Sequence, residues 1–217
     1  MVAGRFKEEN DLGMTRVTIR IAAACLVSLA WLPGCAKKEP AAAKEPAAEQ
    51  THASAGSQES TMMAIEIKSS AFMQGATIPE MYTCDGKDVS PPIKWGEGPG
   101  NVRAWALIVD DPDAPSKTWV HWVLFNIPGS TRSLSASVPT TGDLPEGGRQ
   151  GKNDFGKLGY GGPCPPVGKP HRYFFRLYAL DGPLDLPAGA TRDQVDRAME
   201  GHVLGRGELL GTYARRQ

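Results

Sequence analysis

The chain has 217 residues and carries 24 Lys+Arg against 24 Asp+Glu, so it is formally neutral, with 41% hydrophobic and 22% charged residues. Neutrality without a basic block gives no phosphate-neutralising surface of the kind nucleic acids require, and no nucleic-acid partner is expected. Its 25 glycines and 18 prolines make about a fifth of the chain, against a usual share of roughly an eighth, which predicts many turns and few long helices.

The first apolar run lies between Ile19 and Leu32, with Arg16 and Arg20 at its start. It is shorter than the roughly 20 residues a membrane-spanning helix needs, and a short apolar segment behind positive charge reads as the core of a secretory signal. It ends in Leu32-Pro33-Gly34-Cys35, which resembles the lipobox of bacterial lipoproteins. That resemblance implies a signal peptide over residues 1–35, lipidation of Cys35, and an exported protein anchored to the bacterial cell envelope, on its periplasmic face. Glu8, Glu9 and Asp11 do not suit a positive leader, whereas Met14 opens an ordinary one, so Met14 stands beside Met1 as a start.

Residues 36–61 are built from Ala, Lys, Glu, Pro, Gln and Ser, with a near-repeat of Lys-Glu-Pro-Ala-Ala beginning at Lys38 and Lys44. With no aromatic residue to bury, this segment is expected to be a disordered linker. Its reach is on the order of 30 Å, the property of a tether.

Residues 62–217 remain, 156 residues with equal numbers of acidic and basic side chains, enough for one domain with its own core. Met63 to Lys68 alternates apolar and polar, predicting a half-buried strand. Ala104 to Val109 and Trp119 to Phe125 are continuous apolar runs, and Arg172 to Leu180 is aromatic and apolar. Gly and Pro clusters bound each, which favours strands. Thr191 to Met199 predicts a helix, with Thr191 as cap, Asp193 in the first turn and Gly201 after the end. Glu208 to Tyr213 predicts a closing strand. The fold class is mostly β, with one or two short helices near the C-terminus.

Polar groups gather at the predicted strand ends. Asp111 and Asp113 flank Pro112, and residues two apart in extended chain face one side, so both carboxylates are expected to share one space. His121 is predicted on the face of Val123 and Phe125. His171 and Tyr173 are again two apart. A His in an apolar strand also reads as a satisfied core residue, and Asp-Pro-Asp also reads as a turn with side-chain caps. Two His and two Asp are zinc donors by type, but their spacing is no zinc signature, and neither metal nor cofactor is expected. The glycine- and proline-rich loop from Gly151 to Pro170 permits close backbone approach, and its amides are expected to face a small ligand.

Several segments together resemble the phosphatidylethanolamine-binding protein family, in its bacterial Raf-kinase-inhibitor-like branch. They are Asp111-Pro112-Asp113-Ala114-Pro115, His121-Trp122 with Asn126-Ile127-Pro128, Gly161-Gly162-Pro163 leading to His171-Arg172-Tyr173, and Gly201-His202-Val203-Leu204 followed by Gly211-Thr212-Tyr213. The resemblance spans about residues 64 to 215. It implies a Greek-key β-sandwich with short peripheral and C-terminal helices. It also implies a small pocket for anions such as phosphate or a phosphoethanolamine headgroup, lined here by Asp111, Asp113, His121, Gly162, Pro163, His171 and Tyr173. The loop departs from the family in reading Pro163-Cys164-Pro165-Pro166, where a tight Gly-Pro-Pro is not preserved.

A carboxylate beside a His favours the charged imidazole, which donates to anion oxygens. The two Asp are therefore expected to hold imidazolium rings, and affinity is expected to fall as pH rises. Tyr173 and Ser116 are hydroxyls without an adjacent base, and no catalysis is expected. Cys164 is either a reactive thiol or bonded. With Cys25 leaving in the signal and Cys35 lipidated, a Cys84–Cys164 disulfide is expected in an oxidising compartment. The expected function is non-enzymatic binding of a small anion or phospholipid headgroup. The alternatives are an inhibitor of a kinase or serine protease, and, last, an esterase or phosphoesterase.

Overall fold

The computed structural model describes residues 62–216; the expected signal peptide, Cys35 and the linker lie outside them. Nine strands form two sheets. The strands are β1 (Met63–Ala64), β2 (Ile67–Lys68), β3 (Ile93–Trp95), β4 (Ala104–Asp111), β5 (Trp119–Pro128), β6 (Ser133–Leu134), β7 (Arg149–Gln150), β8 (His171–Leu180) and β9 (Val203–Tyr213). The larger sheet runs β1-β9-β8-β4-β5-β7 and the smaller β2-β3-β6, with every pairing antiparallel except β1 with β9.

The reason β4 reads as an unbroken apolar run is that both its faces are covered. Trp105, Leu107 and Val109 face the smaller sheet, in a core shared with Ile67, Ile93, Trp95, Phe175 and Leu177. Ala104, Ala106 and Ile108 face the opposite side, where Val195 and Met199 of helix α1 (Arg192–Met199) and Leu184 close a second core. The helix is as predicted: Thr191 accepts from the Gln194 amide in a capping box, and Gly201 follows with φ 79°.

Asp110 is fully buried on this second side. A buried carboxylate must be paired, and Asp110 meets Arg176 of β8 and Arg192 of α1, the latter at 2.7 Å. The trio rivets the helix to the middle of the sheet.

One expectation changes. The single strand Met63–Lys68 is two strands, β1 pairing with β9 and β2 with β3, because the chain crosses from one sheet to the other around buried Ile65. Among the described residues the helices are α1 and a 3-10 turn at Glu80–Tyr82. Helix α1 precedes the last strand, as the expected order of helix Thr191–Met199 and closing strand Glu208–Tyr213 has it, and the fold is a mostly β sandwich with short peripheral helical elements.

Candidate functional site

Strand β4 is antiparallel to both its neighbours, β5 and β8. Its C-terminal end therefore meets the beginnings of those strands, and that topology brings Asp111, His121, His171 and Tyr173 to one end of the larger sheet. Asp111 is the last residue of β4 and is buried. Its Oδ2 lies 2.7 Å from His171 Nδ1, and its Oδ1 accepts the Asp113 amide at 2.8 Å. The carboxylate thus holds the imidazole with one oxygen and its own turn with the other.

His121 reaches the site through a β-bulge. The register between β4 and β5 steps from Val109–Trp122 to Asp110–Val120, leaving His121 as the extra residue. A bulge re-aims the side chain it carries. Val123 and Phe125 pack in the second core, under α1. His121 instead meets Tyr173 ring to ring, with centroids 5.2 Å apart and planes at 85°, and Tyr173 belongs to the core between the sheets. The expectation that His121 shares the face of Val123 and Phe125 is therefore wrong, because strict alternation ignores an inserted residue.

His121 Nδ1 is 2.7 Å from the Gly161 carbonyl oxygen. That oxygen only accepts, so Nδ1 carries the proton and Nε2 is left as an acceptor. Burial pushes the imidazole below its ordinary value of 6.5, against the smaller opposing pull of Gly161 and Asp111. The expectation of two imidazolium rings is corrected for His121, whose burial outweighs its carboxylate neighbours. Tyr173 is fully buried and its hydroxyl has no hydrogen-bond partner among the described residues, although Asp111 is near. Burial first, then the Asp111 charge, push that phenol well above its ordinary range.

Asp113 does not join the cluster. Its carboxylate takes the Arg172 backbone amide at 3.0 Å and the guanidinium at 2.9 and 2.8 Å, and hydrogen bonding from the Arg172 side chain lowers its pKa. The two carboxylates diverge because the chain turns directly after Asp111. Gly162 and Pro163 form a wall without free donors. The Gly161 amide bonds to His121 O at 2.9 Å, the Gly162 amide to Asp88 Oδ1 at 2.6 Å, and Pro163 O accepts from the Cys84 amide at 3.1 Å. The expectation that the amides of Gly161 and Gly162 face a ligand is corrected, since both are already committed within the fold. Cys84 and Cys164 form a disulfide, with Cα atoms 5.4 Å apart.

Phe155 and Asp88 were not singled out by sequence reading, and Gly161 was read only as part of the Gly161-Gly162-Pro163 motif. Phe155 is 41% exposed, yet its ring packs edge-on against both His121 at 5.3 Å and Trp119 at 5.5 Å. The signal was an aromatic residue amid the polar and glycine residues of the loop. Two grooves of about 750 and 800 Å³ open elsewhere, and none of the four clustered residues lines either.

A folded His121 stays neutral at pH values where the unfolded chain already binds a proton. Its contribution to stability is therefore full above about pH 6.5 and is lost as pH falls below that, at up to about 1.4 kcal/mol per pH unit. Phe155→Ala strips cover from the ring, so an NMR titration is expected to show the His121 pKa moving back up toward 6.5. An unmoved titration would mean that other residues keep the ring dry.

The residues matched by the family model "Phosphatidylethanolamine-binding protein" are 68–214. A UPF0098 protein of Methanothermobacter thermautotrophicus is 56% identical over 151 residues, covering 70% of this chain and 99% of its own. One from Aquifex aeolicus is 47% identical over 153 residues, covering 70% and 89%. Among solved structures, the phosphatidylethanolamine-binding protein homolog CT736 of Chlamydia trachomatis has TM-score 0.65 and 36% identity, covering 70% of this chain and 99% of that one. YbcL of E. coli, described as a member of the mammalian family, has TM-score 0.66 and 30% identity with the same coverage. The class is a β-sandwich, and in this chain a carboxylate–imidazole pair stands at the end of the larger sheet. The chain belongs to the phosphatidylethanolamine-binding protein family.

Proposed function

We propose that this chain is a non-enzymatic binding module for a small anion or phospholipid headgroup of the phosphate or phosphoethanolamine kind. We further propose that Cys35 anchors it by lipid to the bacterial cell envelope, on the periplasmic face. The observation that carries the binding reading is the Asp111–His171 pair beside the uncommitted Tyr173 hydroxyl. His171 bridges to Asp111 through Nδ1, its cationic form would donate through Nε2 to a phosphate oxygen, and the Tyr173 hydroxyl adds a second donor. Neutral His121 supplies an acceptor, which suits a ligand carrying its own O–H or N–H. The non-enzymatic reading is supported by Cys164, two residues past Gly162, being in a disulfide.

Calorimetric titration of the full chain at pH 6 with phosphate, phosphoethanolamine and glycerophosphoethanolamine tests this. Saturable binding is expected, falling about tenfold or more in His171→Ala, the effect of one charge-assisted hydrogen bond. No heat from any of the three in the wild-type protein would overturn it.

A further inference from the structure

The wall of the site is fastened to a second loop by four links. Tyr160 donates its hydroxyl to Tyr82 O at 2.8 Å. The Gly162 amide donates to Asp88 Oδ1 at 2.6 Å, and the Cys84 amide to Pro163 O at 3.1 Å. The Cys84–Cys164 disulfide closes the set. Residues 82–88 thus grip residues 160–164. The fit is close: a Cβ on Gly162 would stand 2.5 Å from Tyr82 O and 2.7 Å from Asp88 Oδ1.

Asp88 is exposed, yet it holds φ 54°. A left-handed non-glycine residue is strained unless its surroundings hold it. What holds it is the bond to the Gly162 amide. On the far side of the gripped segment, Gly161 bonds twice to His121, amide to carbonyl and carbonyl to Nδ1. The chain of contacts therefore runs from the disulfide and Asp88, through Gly162 and Gly161, to the tautomer of a site histidine.

We propose that Asp88 and the Cys84–Cys164 disulfide are positioning residues of this site, clamping the Gly161 carbonyl on His121 Nδ1, and that reduction of the disulfide releases the clamp. Cys164 is exposed and Cys84 half-buried, so a dithiol reductant reaches the bond. One of its thiolates attacks a disulfide sulfur to give a mixed disulfide, and its second thiol resolves it. Two electrons and two protons pass to the protein, leaving Cys84 and Cys164 as thiols and the reductant as a disulfide. With the clamp released, His121 samples both neutral tautomers, and the acceptor that Nε2 offers is no longer fixed. The ligand part of this inference rests on the anion-binding reading above; the tautomer part does not.

The test uses ¹⁵N NMR of the His121 ring and phosphate titration on the full chain, oxidised and after dithiothreitol, with the variants Asp88→Gly, Asp88→Asn and the double Cys84→Ser/Cys164→Ser. Oxidised wild type is expected to show one Nδ1–H tautomer, and reduction or Asp88→Gly to average the two ring nitrogens. Phosphate affinity is expected to fall about fivefold in both, the scale of one displaced hydrogen bond. Asp88→Gly removes the left-handed strain, so its unfolding midpoint is expected to hold while the tautomer signal changes. Asp88→Asn, which keeps an acceptor and tolerates that backbone, is expected to restore the wild-type spectrum. An unchanged His121 spectrum after both reduction and Asp88→Gly would overturn the clamp. Should oxidised wild type bind no phosphate, the anion reading fails and the ring spectrum still decides the clamp.

Discussion

Replacing Trp122 with alanine is expected to destabilise the fold by about 3–5 kcal/mol, the usual range for removing a buried indole. Trp122 is fully buried between the sheets, beside the bulge that carries His121. Its ring meets Tyr160 edge-on at 5.5 Å, and its Nε1 donates to Gln150 Oε1 at 2.8 Å. Truncation leaves a cavity at the junction of β5, β7 and the Gly151–Pro170 loop and leaves a buried amide oxygen without its donor. Trp122→Phe separates these effects: it keeps most of the packing and orphans Gln150, with an expected loss of about 1–3 kcal/mol. Urea unfolding at pH 7 reads both. A loss below about 1 kcal/mol for the alanine variant would mean that the core collapses around the gap, contrary to the packing described.

Asp111→Asn is expected to lower phosphate affinity by about 10- to 100-fold while leaving the fold in place. The substitution is isosteric and keeps an oxygen for the Asp113 amide, but it removes the negative charge that His171 Nδ1 meets at 2.7 Å. A hydrogen bond to a charged group contributes about 1.5–3 kcal/mol, and the expected loss is that quantity converted to affinity. Asp113→Asn is the matched control. Its carboxylate is engaged with Arg172 at the surface, where an ion pair contributes at most about 1 kcal/mol, so affinity is expected to change less than threefold. Titration calorimetry of both variants at pH 6 distinguishes the two carboxylates. Equal losses would show that Asp113 acts on the ligand directly and would contradict its pairing away from the cluster.

That division between neighbouring aspartates marks where sequence reading stops. The run Ala104–Val109 announced a buried strand, and the Thr191 cap announced α1, since each follows from composition over a few adjacent residues. His171 and Tyr173 were legible as a pair because short spacing within a strand fixes a face, whereas the same argument paired Asp111 with Asp113 and failed, because the strand ends at Asp111. His121 was legible as a member of the cluster and illegible in its facing, because a bulge belongs to the pairing of two strands and leaves no mark in either one. The amides of Gly161 and Gly162 looked free for the same reason: Asp88 lies 74 residues from Gly162. Strand β9 reads short in sequence because Gly205, Gly207 and Gly211 dilute its β character. In the fold Gly205 and Gly207 admit Met63 and Ile65, Gly211 admits Ile78 and Phe72, and a Cβ on Gly207 would collide with Ile65 O. Asp110, just past the apolar run, carried no signal in the sequence, since its partners come from β8 and α1.

The parallel pairing of β1 with β9 has a practical side. Met63 lies opposite Gly205, while His171 lies opposite Tyr213 on the same strand. Eight residues at about 3.3 Å each put roughly 26 Å between them. Whatever is attached upstream of residue 62 joins the domain well away from the residues that would take a ligand. A sensor chip or affinity bead coupled at Met62 would attach far from those residues, whereas coupling through Arg215 or Arg216 would crowd them.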